Sequence, residues 1–564
     1  MLGIELPPFL IFYLGALIAL VGGATWRGPA LIVVVVVSAL NLWQLPSGFG
    51  LETQLMGMAL KPIHIDRLSL LFGYLFHIAA LISVIYSLHI KDKTQQVAAM
   101  LYAGSALGAV FAGDLLTLFI FWEMLAVTSV FLIWARRTDT AYSAGMRYLI
   151  IQVISGLLLL VGIILYFKQN GSLMFTEIGL DSIASWFMFL AFGIKCAFPF
   201  FHNWLTDAYP EATPTGTVFL SAFTTKVAVY AMARGFPGTE MLVYIGATMA
   251  CFPIFFAVIE NDLRRVLAYS LVNQLGFMMV GIGIGTELGI NGAVAHAFND
   301  VIFKGLLFMS MGAVLYRTGR INGSELGGLY KSMPKTAILC IVGAASISAF
   351  PLFSGFVSKS MIMSAALKEH FNIVWLLLLF ASAGVFHHAG IKIPYFAFFA
   401  HDSGIRCKEA PWNMLLAMSI AATLCLAIGI FPQLLYQHLP FPTDYSAYDV
   451  SHILTQTQLL FFSALAFVWL NLKGMYPPEL PSTNLDFDWM YRRPLPRLIN
   501  ACGRLVNRVD LTIRSRIMSI GNTLEQRLAA LNSGEGVFSR TISISSMAAW
   551  MVTLLALLLI IRFF

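Results

Sequence analysis

Sixteen mostly apolar stretches, 16 to 31 residues long, recur along the chain. A helix needs about 20 such residues to cross a bilayer. The stretches are 8–23, 29–45, 66–88, 97–112, 114–134, 143–167, 183–200, 213–233, 241–259, 266–285, 289–316, 336–366, 373–400, 413–436, 453–473 and 543–562. A chain of this kind cannot turn most of its surface to water. Of its 564 residues 59% are apolar and 11% charged, against roughly a quarter charged in soluble proteins. Cytosolic enzymes, nucleic-acid binders and disulfide-built secreted scaffolds are excluded on that ground. The six cysteines, Cys196, Cys251, Cys340, Cys407, Cys425 and Cys502, form no CxxC or CxxxH spacing, so no zinc or haem site is signalled. No small-residue cleavage site follows the first stretch and a second apolar run comes at once, which reads as an anchor rather than a removed signal peptide.

Basic residues divide unevenly between alternate loops. Loops after odd-numbered stretches carry 23 Lys and Arg, from Arg27 through Arg136, Arg264 and Arg406 to the many arginines between 473 and 540. The other side carries 6: Lys61, Arg67, Lys168, Arg234, Lys368 and Arg562. Positive charge collects on the cytoplasmic side, so both termini are expected outside the cytoplasm, and the net charge of +7 follows from topology. The long segment 474–542 has apolar residues at Leu498, Leu505, Val509, Ile513, Ile517, Ile520, Leu524, Leu528 and Leu531, with arginines between them. Steps of three and four predict an amphipathic helix of roughly 35–40 residues, lying along the membrane or bracing neighbouring helices.

The remaining six basic residues, Arg147, Lys195, Lys226, Lys304, Lys359 and Lys392, fall inside or at the margin of spans, as do Glu123 and Asp300. A charge at the bilayer centre costs on the order of 2.5–3.5 kcal/mol. Five lysines and Glu123 unpaired would cost roughly 15–20 kcal/mol, more than a fold can spare. A structural ion pair accounts for Glu123 and one lysine, and leaves four amines. Desolvation disfavours the charged form of an amine, so such lysines become groups able to gain and lose protons. Ammonium groups repel Na⁺, which makes them proton carriers rather than sodium ligands. Pro199 lies four residues after Lys195 and removes a helical donor; Pro351 and Gly355 precede Lys359 in the same way, so two broken helices are predicted. His296, Asp300 and Lys304 follow each other at intervals of four, one helical stripe of titratable groups. His202, His387 and His388 are weaker candidates. Pro199–Trp204 parallels Pro351–Phe356, and each is followed by a lysine in the next span, Lys226 and Lys392, which hints at an internal repeat.

The ordered set FIFWEMLAVTS, KCAFPFFHNWLTDAYPEATPT, ENDLRRVLAYSLVNQLGF, HAFNDVIFKGLLF, GGLYKSMP and FPLFSGFVSKSMI resembles the antiporter-like subunits shared by respiratory complex I and Mrp-type multisubunit Na⁺/H⁺ antiporters, most closely the D-type subunits of the Mrp group. The resemblance runs from about residue 60 to 440. The segment 474–564 is similar to the lateral helix and last span of the largest complex I antiporter-like subunit. The resemblance implies an all-α polytopic fold of about 16 transmembrane helices with two inverted five-helix repeats. Its divisions are an N-terminal three-helix segment (1–96), two channel repeats (97–234 and 241–400), two further helices (413–473), a lateral amphipathic helix (474–542) and a final span (543–564).

By the same resemblance Glu123 matches the family's essential glutamate, paired with Lys195 in the first broken helix. Lys226, Lys304 and Lys359 match the lysines that follow, His296 matches the histidine eight residues before Lys304, and Lys392 is less widely shared. Asp300 departs from the family, which usually has histidine there. The expected function is a proton-translocating subunit of a bacterial inner-membrane antiporter that exchanges protons for a monovalent cation, Na⁺ by resemblance, together with other membrane subunits. The alternatives are a pump subunit of a complex I-like or hydrogenase redox enzyme, and an energy-coupling subunit for inorganic carbon uptake. No GxGxxG, cluster-ligating cysteine set or haem motif is present, so no cofactor, metal or enzymatic chemistry is expected in this chain.

Overall fold

Acidic and hydroxyl residues just ahead of apolar runs start most of the long helices. Asp66, Asp92, Asp114, Thr138, Ser182, Asp262, Thr286 and Asp449 each accept a backbone N–H from the first turn that follows. Such caps satisfy donors that a helix start leaves free. The structure is a computed structural model that describes residues 6–46, 48–55, 57–481, 484–533, 536 and 543–563. It divides into two units, Met1–Asn484 and Leu485–Phe564.

The first unit opens with α1 (Pro8–Val21) and α2 (Arg27–Gln44), then an antiparallel hairpin of β1 (Gly50–Leu55) and β2 (Met58–His64). The all-α expectation misses this hairpin. Its register slips between Leu51 and Thr53, opposite Lys61 and Pro62, and a bulge is where a strand tolerates proline. Then come α3 (Arg67–Tyr86), α4 (Lys93–Phe111), α5 (Leu115–Trp134), α6 (Asp139–Asn170), α7 (Ile183–Lys195), α8 (Asn203–Ala208), α9 (Gly216–Ala222) and α10 (Thr224–Gly235). They are followed by α11 (Met241–Ile259), α12 (Leu263–Ile284), α13 (Glu287–Thr318), α14 (Pro334–Ile347), α15 (Ser354–Lys368) and α16 (Asn372–Val385). The last of these continues through widened turns at Phe386–Lys392 and Tyr395–Phe399. The unit closes with α17 (Trp412–Ile430), α18 (Gln433–Tyr436) and α19 (Val450–Leu472). Helices α9, α10, α12 and α13 are almost wholly enclosed by the others, and α10 and α13 carry Lys226, Asp300 and Lys304.

Two stretches share their local construction. Helices α6 and α13 both have 32 residues, start at a threonine cap (Thr138, Thr286) and end at a glycine in the left-handed region (Gly171, φ 65°; Gly319, φ 70°). The start of α5 bridges Asp114 to Met174, and the start of α12 bridges Asp262 to Asn322; every one of these positions is offset by 148 residues. The helix interruptions also match. Ala197 and Phe200 have φ of 59° and 71°, Ala349 and Leu352 of 57° and 74°, on either side of Pro199 and Pro351. In both, the amide after the alanine reaches back five residues, Phe198 to Gly193 and Phe350 to Ala345, each at 3.0 Å.

Twelve helical segments among the described residues are long and apolar enough to cross a membrane, and the chain is a mostly helical multi-pass membrane protein. The difference from sixteen is instructive. Stretch 183–200 yields only the 13-residue α7 before the break, about 20 Å of rise, and 336–366 is split into α14 and α15. Helices α1 and α4 are the other two apolar stretches outside the twelve.

In the second unit α20 (Asp488–Arg492) precedes α21 (Pro494–Asn532), 39 residues or about 58 Å of amphipathic helix, and α22 (Ile544–Phe563) is a further apolar span.

Candidate functional site

All five intramembrane lysines are buried, with none more than 2% exposed, so none reaches a headgroup. Their partners differ. Lys195 ends α7, and its Nζ donates to the Trp122 carbonyl at 2.6 Å while lying 4.4 Å from the Trp122 ring centre. The expected carboxylate is the next residue, Glu123, yet the amine takes the backbone oxygen. Glu123 Oε1 is buried without a hydrogen-bond partner among the described residues. The carboxylate lies against Gly156 of α6, where a Cβ would fall on it, so this glycine is what lets α6 approach. Gln152, one turn earlier on α6, is also buried, with its amide unpaired among the described residues.

The three side chains of the stripe on α13 take separate partners. Asp300 turns to α10 and pairs with Lys226, Nζ to Oδ2 2.5 Å, both side chains fully buried. His296 bridges α12 and α15 through Gln274 (2.9 Å) and Ser358 (3.0 Å). Lys304 donates to Ser270 of α12 at 2.7 Å. Three groups a turn apart thus face three neighbours, because α13 is surrounded.

Lys359 of α15 donates to the Ile347 carbonyl at 2.9 Å, the last residue of α14 before the break, with the Phe277 ring 5.0 Å away. The broken helix provides this acceptor, since a terminal carbonyl has no intrahelical donor. Lys392 reaches the carbonyls of Val258 (2.7 Å) and Glu260 (2.6 Å) at the C-terminal end of α11, and pairs with Glu479 at 2.8 Å. Of the basic residues singled out at span margins, Arg147 pairs with Asp207 at 2.7 Å. His202 packs against Phe252, His387 against Tyr476, and His388 is fully buried in a widened turn.

Three lysines therefore rest on neutral oxygens and two on carboxylates. A lysine held by a neutral acceptor can release its proton without stranding an anion, whereas one held by a carboxylate keeps it more firmly. Several residues here were not singled out from the sequence: Ser270, Gln274, Ser358, Gly156, Glu479 and Arg264. The last is 1% exposed and donates to the carbonyls of Tyr209, Pro210, Ala212 and Thr213 and to the Thr217 hydroxyl, tying α12 to the connection between α8 and α9. The one available signal for Glu479 was an acid in a proline-rich stretch, which by itself points nowhere.

The family model described as NADH:quinone oxidoreductase/Mrp antiporter, TM, matches residues 112–432. The chain is 30% identical to the A-type Na(+)/H(+) antiporter subunit of Alkalihalophilus pseudofirmus over 66% of its own length and 53% of the relative's. It is 28% identical to Hydrogenase-4 component B of Escherichia coli, over 55% of the chain and 52% of the relative. The chain thus spans about half the length of these curated relatives. In fold it resembles a chain of the Mrp complex from Dietzia sp. (TM-score 0.70, 19% identity, 82% of this chain and 98% of that one). It also resembles a chain of an archaeal membrane-bound sulfane sulfur reductase (TM-score 0.72, 22% identity, 99% and 100%). With the family match covering more than half of its residues, the chain belongs to the NADH:quinone oxidoreductase/Mrp antiporter transmembrane family.

Proposed function

We propose that this chain is the proton-translocating subunit of a multisubunit Na⁺/H⁺ antiporter in a bacterial inner membrane. The observation that carries the reading is the row of five lysines buried in the helical interior, three of them on neutral oxygens. Protons pass from the Glu123–Lys195 site by Lys226 and Asp300 to Lys304, then to Lys359 and Lys392, with His296 bridging. Approach of Glu123 to Lys195 holds the amine's proton, and its retreat releases it. The chain does this without covalent chemistry or a cofactor of its own, alongside other membrane subunits.

The finer architecture belongs to the same reading. Sixteen crossings follow if each broken helix counts as one and α1 and α4 both cross. Residues 97–234 and 241–400 then form two five-helix repeats. An odd number of crossings inverts the second relative to the first, and the matched caps and breaks support this. Both termini lie outside the cytoplasm by the distribution of positive charge. The D-type assignment within the Mrp group rests on the sequence motifs, since the curated antiporter relatives carry A-type names. A second reading, a pump subunit of a redox enzyme, is favoured by the likeness to Hydrogenase-4 component B.

The test is NaCl-dependent proton movement in everted vesicles, with every copurifying chain identified. Glu123→Gln and Lys195→Ala abolish exchange while the protein stays in the membrane at normal abundance. Retained exchange in both variants, or copurifying iron–sulfur proteins in place of small hydrophobic subunits, refutes the antiporter reading.

A further inference from the structure

Beyond α19 the chain runs without helix from Lys473, and this extended segment carries Glu479 back to the end of α16. The Glu479 side chain is 5% exposed, with Oε1 2.8 Å from Lys392 Nζ. Its Oε2 is buried without a hydrogen-bond partner among the described residues and faces the backbone of Gly323, where an added Cβ would stand 3.4 Å away. The groups around the pair come from every neighbouring element. The end of α11 offers the carbonyls of Val258 and Glu260 to Lys392. The Glu260 carboxylate is committed elsewhere: Oε1 accepts the amides of Asn261 and Asp262, and Oε2 takes Asn484 at 3.2 Å with Arg265 at 3.9 Å. His387 and Tyr476 stack edge to face at 5.3 Å, and the Tyr476 hydroxyl is buried without a partner among the described residues. On the sixteen-crossing reading the loops involved, 260–262, 317–333 and 473–481, all follow odd-numbered spans and share one side of the membrane.

We infer that Glu479 is the proton-exchanging group at the end of the path, passing protons between Lys392 and water on the side of these loops. The step balances simply. The Lys392 ammonium gives a proton to the Glu479 carboxylate, leaving a neutral amine and a carboxylic acid, and the acid then gives that proton to water; uptake is the reverse. A carboxylate with a free buried oxygen beside the terminal lysine, on a segment that enters the loop side, has the chemistry for this. Burial pushes the Glu479 carboxyl up from the ordinary range, against the pull of Lys392.

The inference rests on the proton-path reading, and the experiment separates the two. NaCl-dependent proton movement is followed against pH in everted vesicles holding the wild-type complex, Glu479→Gln, Glu479→Asp or Lys195→Ala. Glutamine keeps the shape and a hydrogen bond to Lys392 but cannot carry the proton. Exchange in E479Q falls roughly tenfold, and half-maximal exchange moves about one pH unit toward acid as Lys392 loses its counter-charge. E479D restores the profile at reduced rate, whereas a merely structural latch would leave E479Q with the wild-type profile. An unchanged E479Q profile beside a silent K195A overturns the inference alone; an active K195A overturns the path itself. Carbodiimide, which modifies protonated carboxyls, gives a readout independent of transport. It labels Glu479, and Lys392→Met increases the labelling; a Glu479 that stays unlabelled in both proteins also overturns the assignment.

Discussion

Lys226 and Asp300 form a wholly buried ion pair at 2.5 Å that joins α10 to α13. The two helices lie in different matched stretches of the chain, so this contact links the sites around Lys195 and Lys304. It also explains why an aspartate is tolerated here: the carboxylate has an amine to answer it, while its Oδ1 stays buried and unbonded among the described residues. The balance of such a pair is set by desolvation, so losing one partner costs more than losing both.

Asp300→Ala leaves the Lys226 ammonium without its counter-ion and destabilises the protein by about 3–5 kcal/mol. The double variant Lys226→Met with Asp300→Leu recovers most of that loss. Denaturant unfolding of the purified protein in detergent checks both, and additive losses in the double variant would mean the pair is not coupled.

Gly156→Ala tests the close approach of α6 to Glu123 without changing any titratable group. The added methyl occupies the position of the carboxylate, so Glu123 must move away from its place beside Lys195 and Trp122. Exchange falls roughly tenfold or more, with protein abundance unchanged. Wild-type exchange in G156A would show that the position of this carboxylate is unimportant.

A pH-dependent contact lies in the loops. Hydrogen bonds from Arg406 and Lys331, each 2.8 Å from Asp402, hold the Asp402 carboxyl well below the usual aspartate range. A depressed carboxyl stabilises the folded loop at pH values above the unfolded pKa, and that contribution disappears as pH falls through the lower folded one. Protection of the 401–411 amides relative to an unfolded chain therefore holds from neutral pH down past pH 4 or so and falls, giving relatively faster exchange, only in stronger acid. Asp402→Asn shows the faster exchange already at neutral pH; equal protection in both proteins would remove Asp402 from the account.

Helix breaks were legible because their causes are local, and helix starts are set just as locally, by caps that the sequence analysis did not single out. Thr138 and Thr286 cap helices of equal length, and Pro199 and Pro351 interrupt two others, each through donors and dihedrals within a few residues. The identities of the buried charges were legible too, since an amine in an apolar run is visible wherever the run packs. The hairpin at Gly50–His64 was not, because a short strand pair in a loop has no long periodic signal.

Which partner each charge takes depends on how helices rotate against one another, and spacing along one helix carries no record of that. His296, Asp300 and Lys304 share a stripe on α13, yet one meets Gln274 and Ser358, one Lys226 and one Ser270. Lys195 meets a carbonyl where a carboxylate is one residue away. Glu479 meets Lys392 from 87 positions along the chain. The amino-acid order settles where helices start and break and which charges enter the apolar interior; packing between distant segments settles which of those charges are neutralised and which keep a proton that can move.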